Sequence, residues 1–300
     1  MKFGHLDEVS RIDFSLPPDH PITARVLKGM PVKNPKIYSG LAEWGNEGFP
    51  GKIYPKSAKA KDYLKLYGEQ FKIVELNATG YRIPSVKTVE GWVSAVGKDF
   101  IFCPKVSQPI SQVKPLGRDK NALQQFYDAM RAFGDHLGTV FLQLHPTFSP
   151  NRYDDLVNFL GEWDSTFPLS VELRHADWFS NPEVLNNLFE EMRKRKIGTV
   201  ITDTPGRRDV LHMGLTAPTA FIRFEGNELH PTDFTRLDAW AEHLKHWLDR
   251  GLETIYFFPH TTTKALTPEM SNHFLTRMSK LCGLDLKLAK IIEEQGKLEL

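Results

Sequence analysis

The residues able to do chemistry recur at one kind of place, the closing positions of short apolar runs. VELN ends in Glu75 and Asn77, CPKV carries Lys105, LQLHP holds Gln143 and His145, and VELRH holds Glu172 and Arg174. VITD ends in Asp203, IRFEG contains Arg223 and Glu225, and FFPH closes on His260. Carboxylates beside lysine, arginine and amides are the equipment for proton transfer on a small polar, anionic molecule. Glu75 or Glu172 would act as acid or base, and Asp203 or Glu225 as a second acid. Lys105 and Arg174 would hold developing negative charge, with Asn77 and Gln143 orienting the substrate. Arg223, His145, His260 and the early Trp44 complete the expected binding set. Glu75, Glu172, Asp203, Glu225, His145 and His260 are also hard-oxygen and imidazole ligands for Mg, Mn or Zn. No HxH, HExxH or CxxC ties two of them locally, and Arg174 and Lys105 offset the acids, so a catalytic metal is not the favoured reading. There is no GxGxxG for a nucleotide cofactor and no GxSxG nucleophile motif, and Cys103 sits inside an apolar run.

What must position these residues is a set of strands. A parallel strand buried on both faces is almost wholly apolar, so polar groups at so many strand ends need a reason. Residues two apart share a face, which makes Glu75 with Asn77, Gln143 with His145, Glu172 with Arg174, and Arg223 with Glu225 same-face pairs. Eight β-branched and aromatic runs begin at Lys36, Lys72, Phe100, Thr139, Pro168, Gly198, Ala220 and Thr254, 22 to 39 residues apart. That spacing fits a strand, a crossover helix and two loops, and predicts a (β/α)8 TIM barrel. Helical periodicity appears in Tyr63, Leu64, Tyr67 and Phe71, in Leu123, Phe126, Met130 and Phe133, and in Leu185, Leu188, Phe189 and Met192. Ser57, Ser85, Asn181 before Pro182, and Thr267 before Pro268 read as helix starts. In such a barrel the carboxyl ends of all strands meet at one mouth, so scattered residues become one constellation. An open doubly wound sheet is the second choice.

Residues 1–35, with five prolines, read as an N-terminal extension, 36–283 as a single barrel domain, and 284–300 as a C-terminal amphipathic helix. The 38 basic and 37 acidic residues give a formal charge of +1, so no global field draws the chain to nucleic acid or an anionic membrane. Two cysteines without metal-type spacing, no apolar run of membrane length and no secretory pattern fit a soluble cytoplasmic protein. Three weaker features are the loop LAEWGNEGFPGKIYP, as a pocket wall or lid; Arg207 and Arg208, as anion ligands or a solvated pair; and HTTTK, ahead of a helix start.

The ordered motifs YSGLAEW, YP, VELNATGYRIP, FIFCPKV, LGTVFLQLHPTF, VELRHADWF, TDTP and IRFEG resemble those of the YecE-like family of domains of unknown function. The resemblance spans about Ile37 to Pro259. It implies a TIM barrel with no established activity, and carries family positions onto Trp44, Glu75, Asn77, Tyr81, Lys105, Gln143, Glu172, Arg174, Trp178, Asp203 and Arg223. It thereby adds Tyr81 and Trp178 to the candidate binding residues. The chain departs from the family pattern at Ile110-Ser111-Gln112, at His145, at Glu225 and at Pro259-His260, which implies a divergent branch with an altered substrate.

The expected function is therefore an enzyme using carboxylates and Lys/Arg at the barrel mouth on a small polar or anionic ligand. One alternative is a nucleic-acid-binding, DNA-repair-like barrel, with Lys56, Lys59, Lys61, Arg207 and Arg208 along one face. The other is a non-catalytic barrel whose mouth is closed by structural ion pairs.

Overall fold

Each of the eight apolar runs contains a strand, and every strand pairing is parallel. The computed structural model describes residues 4–292. The strands are β1 (Lys36–Ser39), β2 (Ile73–Leu76), β3 (Ile101–Pro104), β4 (Val140–Gln143), β5 (Leu169–Glu172), β6 (Gly198–Asp203), β7 (Thr219–Glu225) and β8 (Thr254–His260). Six form one sheet in the order β1-β8-β7-β6-β5-β4, and β2 pairs with β3. Between the two sheets the pairing thins to isolated parallel bridges, Leu41 with Val74 after β1 and Lys105 with Phe141 after β3. There the Glu75 N–H donates to Leu41 O at 3.0 Å and the Val106 N–H to Phe141 O at 2.9 Å. The chain is an α/β protein built on a central parallel sheet of six strands.

The helices, in chain order, are α1 (Pro21–Val26), α2 (Tyr63–Gln70), α3 (Ala78–Tyr81), α4 (Val86–Ser94), α5 (Gln108–Ser111), α6 (Lys120–Arg131), α7 (Tyr153–Glu162), α8 (Asp177–Ser180), α9 (Pro182–Lys194), α10 (Pro231–Asp249) and α11 (Thr267–Cys282). Among the described residues none is long and apolar enough to cross a membrane. Ser85 caps α4 by accepting from the Thr88 N–H at 3.1 Å, and Asn181 caps α9 by accepting from Val184 at 3.3 Å. Ser57 caps nothing, because a 3-10 turn over Ala60–Asp62 leads into α2, and Thr267 is the first residue of α11 rather than its cap.

Alternation along the strands decides what faces what. Ile73, Cys103, Phe141, Val200, Phe221 and Phe258 form one buried cluster, with Tyr38, Ile101 and Tyr256 packed against it. Ile201, Ile222, Phe224 and Phe257, of opposite parity, join the cluster that contains Leu237, Trp240 and Leu244 of α10. Two positions beyond each member of the first cluster lie Glu75, Lys105, Gln143, Thr202, Arg223 and His260. The period of two thus raises a polar layer directly above an apolar one.

The described part of the N-terminal arm is tied to the rest of the chain. Thr23 Oγ1 donates to Met213 O at 2.7 Å, and Asp19 accepts from His243 Nε2 at 2.8 Å and from Trp247 Nε1 at 3.0 Å. The expected C-terminal helix is not there over residues 284–292, and 293–300 lie outside the described residues. Gly283, at φ 64°, ends α11 in the left-handed region, and the chain leaves it without helical pairing. Reciprocal bonds between Asn272 and Ala289, at 2.8 and 2.9 Å, and one from the Ile292 N–H to Lys52 O at 2.7 Å then tie it down without regular structure.

Candidate functional site at the strand ends

A cavity of about 880 Å³ lies at the carboxyl ends of the strands. Each strand from β2 to β8 supplies a wall residue at its carboxyl end or one or two positions beyond it: Asn77, Lys105, Gln143, Arg174, Thr202, Arg223 and His260. Trp44, Tyr81 and Glu225 also line it. So do Thr204, Thr261, Thr262, Lys264 and Glu43, which reading the strand ends alone misses. HTTTK was the signal for three of these; Thr202, which the sequence reading passed over for its neighbour Asp203, also lines the cavity.

Glu75 and Glu172 are fully buried and do not line the cavity; they lie beneath its wall and hold the arginines. Glu75 Oε1 accepts from Asn77 at 2.7 Å and from Arg223 Nη2 at 3.0 Å, and Oε2 accepts from Arg223 Nε at 3.0 Å, with His260 Nε2 3.2 Å away. Glu172 Oε1 accepts from Arg174 Nε at 2.7 Å and Thr202 Oγ1 at 3.0 Å, and Oε2 accepts from Gln143 Nε2 at 2.8 Å and Arg223 Nη1 at 3.1 Å. Burial alone would raise both carboxyls, but the cations outweigh it. Arg223 and then His260 hold Glu75 well below the usual carboxylate range, and Arg174 and Arg223 hold Glu172 at about 2. Groups so firmly ionised and so enclosed are poor proton donors to a ligand in the cavity, and both stand behind its wall rather than in it. Arg223 pairs across the interior with Glu75 and Glu172 rather than along its own strand with Glu225, whose carboxylate makes no hydrogen bond or ion pair among the described residues.

Besides the two glutamates, three more expected residues are not in the cavity. Asp203 is one position out of phase with Thr202. It points outward and accepts from Arg236 Nη2 at 2.9 Å and Trp240 Nε1 at 2.7 Å, with Arg208 Nη1 also bound to it. Phe14 of the arm lies over this cluster, 4.6 Å from the Arg236 guanidinium carbon. His145 lies beyond the end of β4 and bonds Thr147 Oγ1 at 2.8 Å in an exposed turn. Trp178 is fully buried, donating to Phe148 O at 2.7 Å and stacked with Phe148. The six residues considered as metal ligands accordingly do not converge, and among the described residues no three His, Cys, Asp or Glu side chains gather.

Of the weaker features, Arg207 and Arg208 are bound to Asp209 and Asp203. The loop after β1 is a packed wall: Phe49 and Tyr54 are buried beneath it, and Trp44 meets Trp92 edge to face. The arm reaches the rim, where the Gly206 N–H donates to Gly4 O at 2.7 Å and His5 lies 3.5 Å from Thr262, but among the described residues it contributes no wall.

Lys105 stands apart. Its Nζ donates to Gln143 Oε1 at 2.6 Å, and it makes no ion pair among the described residues. Burial first, then the nearby Arg223, bring its amine down to about 8, against a partial counter-effect from Glu172 and Glu75.

A family model described as "Protein of unknown function DUF72" matches residues 38–289. The chain belongs to the DUF72 family. UPF0759 protein YecE of Escherichia coli (strain K12) is 28% identical over 253 residues, covering 78% of this chain and 89% of YecE. UPF0759 protein YunF of Bacillus subtilis (strain 168) is 26% identical over 153 residues, 49% of this chain and 53% of YunF. A DUF72 family protein from Enterococcus faecalis V583 superposes with a TM-score of 0.65 at 19% identity, over 85% of this chain and 100% of its own. One from Thermotoga maritima MSB8 gives 0.62 at 22%, over 81% and 99%. These likenesses are of fold. The cavity described above lies wholly within the DUF72 region, since its wall runs from Ala42 to Lys264.

Proposed function

We propose that this DUF72 chain is a cytoplasmic enzyme binding a small polar anion at the mouth of a closed (β/α)8 barrel, with Lys105 as its reactive, proton-transferring group. Closure is supported by the bridges at both junctions between the sheets, by an interior cluster drawn from both sheets, and by the bond from Arg223 of β7 to Glu75 of β2. Two unpaired cysteines, one buried, suit a reducing compartment. The observation that carries the functional reading is Lys105, which opens on the cavity that Arg174 and Arg223 also line and makes no ion pair among the described residues. Lys105 is partly buried, where a charge without a counter-charge is less well solvated, and an anionic group on the ligand would offset that. With its amine near 8, Lys105 can give and take protons close to neutrality, which neither glutamate beneath it can.

The test is a thermal-shift and calorimetric screen of small carboxylates, sugar phosphates and duplex DNA against wild type and Lys105→Met. The expected result is stabilisation by a small anion, lost in the variant. An equal shift in both proteins refutes the role of Lys105. Stabilisation by DNA alone, falling steeply with salt, would transfer the site to nucleic acid.

A further inference from the structure

The surroundings of Lys105 are more specific than anion binding needs. Its carbonyl accepts from Thr79 Oγ1 at 2.8 Å and its N–H donates to Leu76 O at 3.2 Å, which fixes the backbone at the end of β3. The stem is clamped as well. Gly80 in α3 lies so close that a Cβ there would stand 2.8 Å from Lys105 Cδ and 3.2 Å from Cγ, so a larger residue would push the lysine stem out of its present course. The partner at the tip is an amide oxygen, not a carboxylate. A carboxylate would hold the ammonium in its protonated state, whereas an amide oxygen beside two guanidiniums does not. A lysine partly desolvated, held along its stem and lining one cavity with two arginines is the arrangement that makes an amine nucleophilic.

We infer that Lys105 adds to the carbonyl carbon of its substrate to form an imine, and that the substrate class is small aldehydes or ketones bearing an anionic group seated on Arg174 and Arg223. The inference rests on the anion site proposed above and names its substrate class. The neutral Nζ lone pair attacks the carbonyl carbon, and the C=O π electrons move to oxygen. That oxygen takes up the proton that nitrogen gives up, leaving a carbinolamine. The nitrogen lone pair then expels the hydroxyl as water, with one further proton taken from solvent. The product is a protonated imine and one water, and no oxidant or reductant takes part. An imine so placed draws electrons from the adjacent carbon and eases removal of its proton or cleavage of its bond to a neighbour.

The experiment is reductive trapping of the full chain. Wild type, Lys105→Arg, Lys105→Met and Gly80→Ala are incubated at neutral pH with sodium cyanoborohydride and either pyruvate or dihydroxyacetone phosphate, then analysed by intact mass and peptide mapping. Parallel calorimetry without the reductant measures binding alone. The expected result is one increment on the Lys105 peptide, formed about tenfold faster than on any other lysine, because at the same pH an amine near 8 is far more often neutral than an ordinary lysine. It disappears in both Lys105 variants and falls several-fold in Gly80→Ala. Trapping with pyruvate alone identifies a carboxylate as the anionic group, and with dihydroxyacetone phosphate alone a phosphate. Binding in calorimetry with no increment on Lys105 overturns the imine and leaves the anion site standing. An increment spread over many lysines, or retained in Lys105→Met, also overturns it. Absence of both binding and trapping removes the anion site and the imine together.

Discussion

Replacing Glu172 with glutamine separates two roles for the carboxylates under the cavity. A general acid kept protonated at neutral pH would lose little on becoming an amide of the same shape. In the structure Glu172 is fully buried, accepts from Arg174, Arg223, Gln143 and Thr202, and is held at about 2 against an ordinary 4.5. Converting that difference gives about 3 kcal/mol of folding stability, undiminished by solvent because the group is enclosed. The sign follows from the depressed folded-state value. The contribution is fully present above the unfolded value near 4.5 and is lost as pH falls towards 2. Urea unfolding followed by tryptophan fluorescence is expected to show Glu172→Gln weaker than wild type by about 3 kcal/mol at pH 7 and by less than half of that near pH 3. A loss under about 1 kcal/mol at pH 7, the value of an exposed pair, would refute the argument, as would a loss that does not shrink on acidification.

The outward cluster makes the complementary case. Asp203→Asn leaves Arg236 and Arg208 facing an amide, so it is expected to cost about 3 kcal/mol in the same unfolding assay while leaving ligand-induced thermal shifts unchanged. Loss of the ligand shift would return Asp203 to the site. For Lys105, modification by trinitrobenzenesulfonate, read on its own peptide, is expected to reach half its maximal rate near pH 8, because the amine is lowered and becomes neutral earlier as pH rises. A midpoint above 10 would show an ordinary ammonium.

The strands were legible because burial on both faces leaves only apolar residues in them, and polar groups at their ends then stand out. Parity was harder to read. Thr202 and Asp203 are adjacent, both faces of β6 are buried, and nothing local in VITD says which residue points inward. His145 illustrates the other limit: two residues past the end of β4 it turns to Thr147, whereas Arg174, equally far past the end of β5, stays over Glu172 and lines the cavity. Trp178 looked like a site residue because it sits in a family motif, yet it is anchored in the core through Phe148. The pairing of Arg223 with Glu75, 148 positions away, was out of reach because Glu225 offered a nearer partner of the right charge. The tail from Leu284 had amphipathic composition, but its course was set by side chains it could not name, Asn272 above all.

The floor of the cavity is one continuous chain of hydrogen bonds, from Lys105 through Gln143, Glu172, Arg223 and Glu75 to His260, tying together the ends of β3, β4, β5, β7, β2 and β8. In the vocabulary of molecular evolution this makes the floor epistatic. A single change leaves a neighbour's donor or acceptor unmet in a buried setting, at about 1–3 kcal/mol each, so viable variants must arrive as matched pairs or triples. The rim is more open: Tyr81 is 74% exposed, and Thr262 and Lys264 lie beyond the end of β8. A lineage carrying this architecture would retune what it accepts by editing the rim one residue at a time, around a floor that drifts only in concert.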